Sequence, residues 1–324
     1  MSEPNPRTSD PDAADLGCYT AAVAGYLAGE CADVTERLAR SVRLAVAVDG
    51  DGELAFSHHR HSLADLPDGG RLAYAAAPTA AEAMDGIGAE LTRHGRVIVV
   101  GNTVALPWSP AYDRADDAHW TLVDDRRPGQ WHIVDHFVAL LPDGEHRPHS
   151  GWLSDAELAA ALTPRRTPTT AQRNRDRYAF GVAVETPSPQ QHWWIRRSTE
   201  AASTTPDPSW EDGRAGLETL ERRLLDDREI AQYSPDVWAA ARHRLYQLRW
   251  LAGRRRDSRV AVDETTLDEA TQAWRSLPMT MRFAVESTRR GRPRTQQLRH
   301  TLQTLIRLET ERPLDSAMEV CHDG

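Results

Sequence analysis

Three residues of this chain have the types and setting that could make a nucleophile with its base. Cys18 follows Gly17 where a helix is expected to begin. A helix start carries a partial positive charge and N–H groups without intrahelical acceptors, which favour an anionic sulfur and could hold an oxyanion beside it. His119 opens an apolar strand pattern, and Asp135 lies near the end of the next one. Folding the chain about residue 127 as an antiparallel hairpin sets 119 opposite 135, where Cβ atoms come within roughly 4.5–5.5 Å. Asp135 could then orient the imidazole and leave its other nitrogen for the sulfur, the logic of a triad. His132 and His136 are rival bases on the same segment. The same residues also fit a blander reading, a buried small cysteine and a solvent-facing His–Asp pair at a sheet edge.

The elements that must position them follow from periodicity and caps. A polar, acidic tail over residues 1–13 reads as disordered. Helices are expected from Gly17 and over Asp33–Arg40. Strands are expected at Leu44–Val48 and Leu54–Phe56, joined through Asp49-Gly50-Asp51-Gly52. Thr79–His94 reads as a helix with a Thr79/Glu82 capping box and Gly95 as its stop. Val97–Val100 is a compact apolar run and hence a buried strand. His119–Val123 and Trp131–Val138 flank a turn at Pro128-Gly129. Ser154 and Glu157 form a second capping box. Residues 14–163 thus read as an α+β domain, 164–210 as an irregular linker and 211–324 as an all-α domain. Helices are expected there at Glu211–Glu229, Ser234–Ala252, Asp263–Ser276 and Pro293–Glu311.

Composition narrows the chemistry. All 39 basic residues are Arg, with no Lys. Walker-type phosphate loops, pyridoxal enzymes, protein kinases and Ser–Lys hydrolases each need a Lys and are excluded. Three cysteines, Cys18, Cys31 and Cys321, make no disulfide framework and no CxxC metal spacing. Residues 1–163 carry 12 Arg against 25 Asp and Glu, a net of −13, whereas 164–324 carry 27 Arg against 23, a net of +4. The acidic half argues against nucleic acid as a ligand. No apolar run reaches membrane-spanning length, and the N-terminus lacks a basic start and an apolar stretch, so a cytoplasmic protein is expected.

Other candidates carry less. His58, His59 and His61 have no carboxylate or Cys at ligand spacing, so no metal is expected. Gly86-Ile87-Gly88 lacks the preceding strand of a dinucleotide loop. Trp238, Trp250 and Trp274 are expected in a helical core.

The order of Cys at a helix start, then His and Asp on successive strands, resembles that of papain-like cysteine enzymes. The stretches GRVIVVGNTVALPWSPAY, AHWTLVDD, WHIVDHF and GWLSDAELAAAL resemble the N-terminal domain of the butirosin biosynthesis protein H family. The likeness covers about residues 14–163. It implies a papain-like domain followed by a helical one, with Cys18 as nucleophile, His119 as base and Asp135 as orienting carboxylate. It also implies an acyltransferase that takes an acyl group from the phosphopantetheine thioester of an acyl carrier protein to a small amine in antibiotic assembly, without a cofactor. Carrier proteins are acidic, so the net-positive half offers a dock. Papain-like enzymes place a Gln shortly before the Cys; none precedes Cys18. The oxyanion would rest on backbone N–H groups, with Asn102 as a side-chain candidate that equally fits a turn. Trp108 and Trp152 are candidates to line an acyl pocket or to pack on the sheet. A peptidase, amidase or thioesterase would use the same triad, and a non-catalytic binding module could keep the fold.

Overall fold

The computed structural model describes residues 15–48, 52–141, 143–164, 170–181, 184–200, 209–226, 230–256 and 263–311. The tail over 1–13, the turn residues Asp49, Gly50 and Asp51, and Cys321 lie outside them. In chain order the elements begin α1 (Cys18–Leu27), α2 (Val34–Ser41), β1 (Val42–Val48), β2 (Leu54–His59), β3 (Arg71–Ala77), α3 (Ala80–His94) and β4 (Val97–Asn102). They continue β5 (Ala118–Arg127), β6 (Gln130–Asp135), β7 (Ala139–Leu141), β8 (Gly144–His146), β9 (His149–Ser154), α4 (Asp155–Ala161), α5 (Thr170–Phe180) and β10 (His192–Ser198). The last are β11 (Glu211–Asp212), α6 (Gly213–Asp226), α7 (Ser234–Arg256), α8 (Glu264–Arg289) and α9 (Gln296–Glu311). The protein is therefore mixed α and β, with antiparallel sheets.

Backbone contacts divide the chain into two units, each made of several segments. One comprises Met1–Val34, Ala64–Pro168 and Thr186–Ala202; the other comprises Thr35–Leu63, Thr169–Glu185 and Ser203–Gly324.

The first unit is built on a six-stranded antiparallel sheet in the order β3-β10-β4-β5-β6-β9. Its centre is the apolar run Val97–Val100, buried along its whole length as expected. On one face, Ala83 and Ile87 of α3 and Leu158 of α4 pack against Val97, Val99, Val123, Trp131, Ile133 and Leu153. Both of these helices start at the capping boxes read from sequence, Thr79/Glu82 and Ser154/Glu157, and α3 stops at Gly95 in the left-handed conformation (φ 69°). Strand alternation turns Trp120 and Leu122 to the other face. There Tyr19 of α1 stacks on Trp120 with ring centroids 4.2 Å apart.

The irregular linker expected over 164–210 is not all linker. Trp193, Trp194 and Ile195 form the buried middle of β10, inserted between β3 and β4, and α5 occupies 170–180. The surrounding Pro, Thr and Arg mask a three-residue apolar run too short to register alone. Strand β6 also stops sooner than expected, at Asp135 rather than Val138.

The second unit carries α5 to α9 around the three-stranded sheet β11-β1-β2. It is therefore not the all-α domain expected, because residues 35–63 group with the helices rather than with the N-terminal sheet. Helix α8 runs on past Ser276 through Pro278. A proline removes one hydrogen bond, but the buried face of Leu277, Met281, Ala284 and Val285 carries the helix across it. Trp250 and Trp274 are buried as expected, and Trp238 is half-buried beneath the Arg242 guanidinium.

Gly86 of α3 marks a close approach: a Cβ there would lie 2.4 Å from Cζ2 of Trp194. In an unpacked helix Gly→Ala stabilises by about 1 kcal/mol, whereas overpacking costs about 1–3 kcal/mol. Gly86→Ala is expected to lower Tm by a few degrees (about 2–4 °C per kcal/mol for a domain of this size), measured by thermal unfolding. An increase in Tm would mean that the indole yields.

Candidate active site

The three residues singled out at the start come together in the first unit. Cys18 is the first residue of α1, after Gly17 in extended conformation as the N-cap. The first-turn N–H groups of such a helix lack intrahelical acceptors. Its sulfur is half-buried and lies near enough to His119 for the two groups to interact. His119 lies on β5 and is almost wholly buried. Its Nε2 sits 2.7 Å from Oδ2 of Asp135, which leaves Nδ1 as the nitrogen for the sulfur.

The route to this pairing differs from the one expected. The β5–β6 ladder pairs Leu122 with Val134 and Val123 with Ile133, and then shifts by one residue at a bulge on Asp124. Continuing that register puts Thr121, not His119, opposite Asp135. His119 is offset by two residues. A two-residue offset keeps both side chains on one face, and a diagonal pair is still within reach of an imidazole. Asp135 ends its strand for a local reason. Its Oδ1 accepts the backbone N–H of Phe137 at 3.0 Å, a turn two residues on that competes with further pairing.

Asp135 gathers more partners than a triad needs. Trp108 Nε1–H donates to Oδ2 at 2.8 Å, and Nε2 of His146 lies 2.9 Å from the same oxygen. His146 was not singled out by sequence, because it sits in the three-residue strand β8, where no periodicity can show. The rings of His119, His146 and Phe137 lie within 5.7 Å of one another, centroid to centroid.

The electrostatics follow from this crowding. Burial pulls the imidazole of His119 down, but the charge and hydrogen bond of Asp135, joined by Cys18, raise its pKa to about 10. Burial pushes the carboxyl of Asp135 up. The imidazolium of His119 and the hydrogen bonds from both histidines outweigh it and hold the carboxyl well below the usual range. Asp135 is thus a carboxylate, and a carboxylate only accepts. Both facing Nε2 atoms therefore carry a hydrogen.

The remaining candidates fall elsewhere. Asn102 is buried and its Oδ1 accepts the N–H of Val104, which makes it the cap of the following 3-10 turn. Trp108 serves the carboxylate and stacks on His149, with centroids 4.1 Å apart. Trp152 pairs in register with His132, three residues along the ladder from the Asp135–His149 pair, and an odd separation puts it on the opposite sheet face. The Arg127 guanidinium lies over its ring. The rival base His132 pairs with Asp124 at 2.6 Å. The other rival, His136, packs against Gly25 of α1, and burial lowers its pKa. In the second unit, His58 and His59 are buried beside His243, with Nδ1 of His58 3.1 Å from Nδ1 of His243. His61 is exposed.

Among the described residues, His119, Asp135 and His146 are the one set whose donor atoms are grouped closely enough for a metal ion. The spacing is that of hydrogen bonds instead. Tetrahedral bonds of about 2.0–2.2 Å set ligand atoms about 3.3 Å apart, wider than 2.7 and 2.9 Å. The Trp108 N–H, which cannot ligate, occupies the same oxygen.

No family model matches this chain, and no curated protein matches it.

The raised pKa of His119 fixes a sign. The stability it contributes is fully present below about pH 6.5, its unfolded value, and is lost as pH rises toward about 10. Urea unfolding at pH 6 and pH 10 is expected to show a decrease on the order of a few kcal/mol. Asp135→Asn is expected to be less stable at pH 6 and to show little of that decrease. An equal decrease in the variant would place the responsible titration elsewhere.

Proposed function

We propose that the first unit is a papain-like thiol acyltransferase of the butirosin biosynthesis protein H type. The observation that carries the reading is the His119–Asp135 pair, hydrogen-bonded at 2.7 Å, with the Cys18 sulfur beside the imidazole at a helix N-terminus. The Cys18 thiolate attacks the carbonyl carbon of a carrier-protein thioester. The developing oxyanion meets N–H groups of the first turn of α1. The carrier thiolate leaves and takes the proton from His119. An amine then attacks the acyl-enzyme, gives its proton to His119 and departs as the amide, returning Cys18 with its imidazolium partner.

An acidic carrier as donor rests on the resemblance, because the second unit as the structure divides the chain has 27 Arg against 26 Asp and Glu, a net of only +1. The choice of an amine over water as acceptor rests on the resemblance alone. Among the described residues no helix is long and apolar enough to cross a membrane.

Intact-mass measurement after mixing with an acylated carrier protein, or with a model acyl thioester, tests the reading. An adduct of one acyl group is expected on the wild-type chain and none on Cys18→Ala. Added amine is expected to clear the adduct as amide. An adduct that survives the substitution removes Cys18 as nucleophile. Free acid formed at one rate with and without amine makes the protein a hydrolase.

A further inference from the structure

His146 lies outside the three residues that the proposed reaction needs, yet its placement is specific. The hairpin β7–β8 pairs Ala139 with His146, Leu140 with Glu145 and Leu141 with Gly144. A hairpin this short is marginal by itself. Leu140 is 82% exposed, and Glu145 faces solvent in an ion pair with Arg147. His146 instead is buried to 1% and spends its Nε2 on Asp135.

The carboxylate it touches is tied at both ends. Oδ1 takes the Phe137 N–H, and Oδ2 takes three ring N–H groups, from Trp108, His119 and His146. These donors come from four separate places in the chain. The titratable groups around the carboxylate are Cys18, His119, His136, His146 and His149. Only two of them, His119 and His146, hydrogen-bond to it among the described residues.

We propose that His146 is a positioning residue, whose Nε2–H pins Oδ2 of Asp135 in line with His119 so that the imidazole keeps Nδ1 on Cys18. This rests on the reading of Cys18 as nucleophile, but its test does not need acyl transfer. A ring that merely filled space would be replaced without loss by Phe. A donor that holds the carboxylate would be replaced by Gln, whose amide N–H reaches in the same direction, and not by Phe.

The test uses the full chain with Cys31→Ser and Cys321→Ser, leaving Cys18 as the one thiol. Two quantities are read in His146→Phe and His146→Gln: the titration midpoint of the His119 ring by NMR and the rate of Cys18 alkylation by iodoacetamide across pH. His146→Phe is expected to lower the His119 midpoint by about one pH unit, a tenfold change in the equilibrium. At neutral pH, where a ring with a midpoint one unit lower is still protonated, it is expected to slow alkylation about tenfold because the loosened imidazolium no longer sits beside the sulfur. His146→Gln is expected to stay within about threefold of the parent. If His146→Phe does not fold, Trp108→Phe, which deletes another donor to Oδ2, is expected to move the His119 midpoint in the same direction. A folded His146→Phe protein with the parent's midpoint and rate overturns the proposal, as does a Gln variant as impaired as the Phe variant. Absence of an acyl adduct on the parent, with the midpoint shift present, removes acyl transfer and leaves the positioning role standing.

Discussion

The site depends on one buried negative charge. Taking a carboxylate out of water costs several kcal/mol even after relaxation, and it survives only where partners replace the lost solvent. Asp135 has four N–H partners, three of them aimed at a single oxygen. That geometry explains several features at once. The strand ends where the side chain turns back on Phe137. The loop carrying Trp108 is tied to the sheet. The short β7–β8 hairpin is anchored by His146. The imidazole facing Cys18 cannot swing away without leaving the charge short of a donor. A buried ion pair with so many hydrogen bonds is costly to disrupt by removing one member, because the remaining charge is stranded.

What the sequence made legible was mainly local. Two capping boxes, a glycine stop and a four-residue apolar run announce α3, α4 and β4, because their signals lie within a few residues of one another. Cys18 at a helix start is equally local. The His119–Asp135 pairing was legible as to face but not as to register. A face depends only on parity, and parity survives a two-residue offset. The register depends on the turn, which pairs Arg127 with Gln130 and so is centred beyond residue 127, and on the one-residue bulge at Asp124, which no periodicity announces. His146 and Trp108 were not legible as partners of Asp135. Their roles come from tertiary approach of short or irregular segments, 11 and 27 residues from the carboxylate.

The same distinction accounts for the misread middle of the chain. β10 joins the sheet between β3 and β4, more than 90 residues beyond β4 in sequence. Its partner β3 reads RLAYAAA, an alanine-rich stretch with weak strand preference. Neither strand is persuasive alone. Each is stabilised by the other, and Trp194 reaches across to Gly86 of α3 to complete the layer. Likewise β1 and β2 were read correctly as strands, but the unit they join is set by long-range packing, which composition along the chain does not record.

A second buried aspartate shows that burial alone does not make such a site. Asp236, in the second unit, is as inaccessible as Asp135. The neutral Tyr178 hydroxyl donates to it, and the charge of Arg175 offsets burial only in part. Burial there prevails, and its pKa rises to about 8, whereas Asp135, facing an imidazolium, is driven the other way. Nearby His58, His59 and His243 are all held neutral by burial, with His243 lowered to about 3. That cluster thus buries its polar groups by discharging them, whereas elsewhere in the unit Arg244 and Glu309 are buried as an ion pair 3.2 Å apart. The Asp135 site buries a carboxylate and an imidazole by keeping both charged and placing them in contact, and that arrangement keeps an imidazolium beside the Cys18 sulfur.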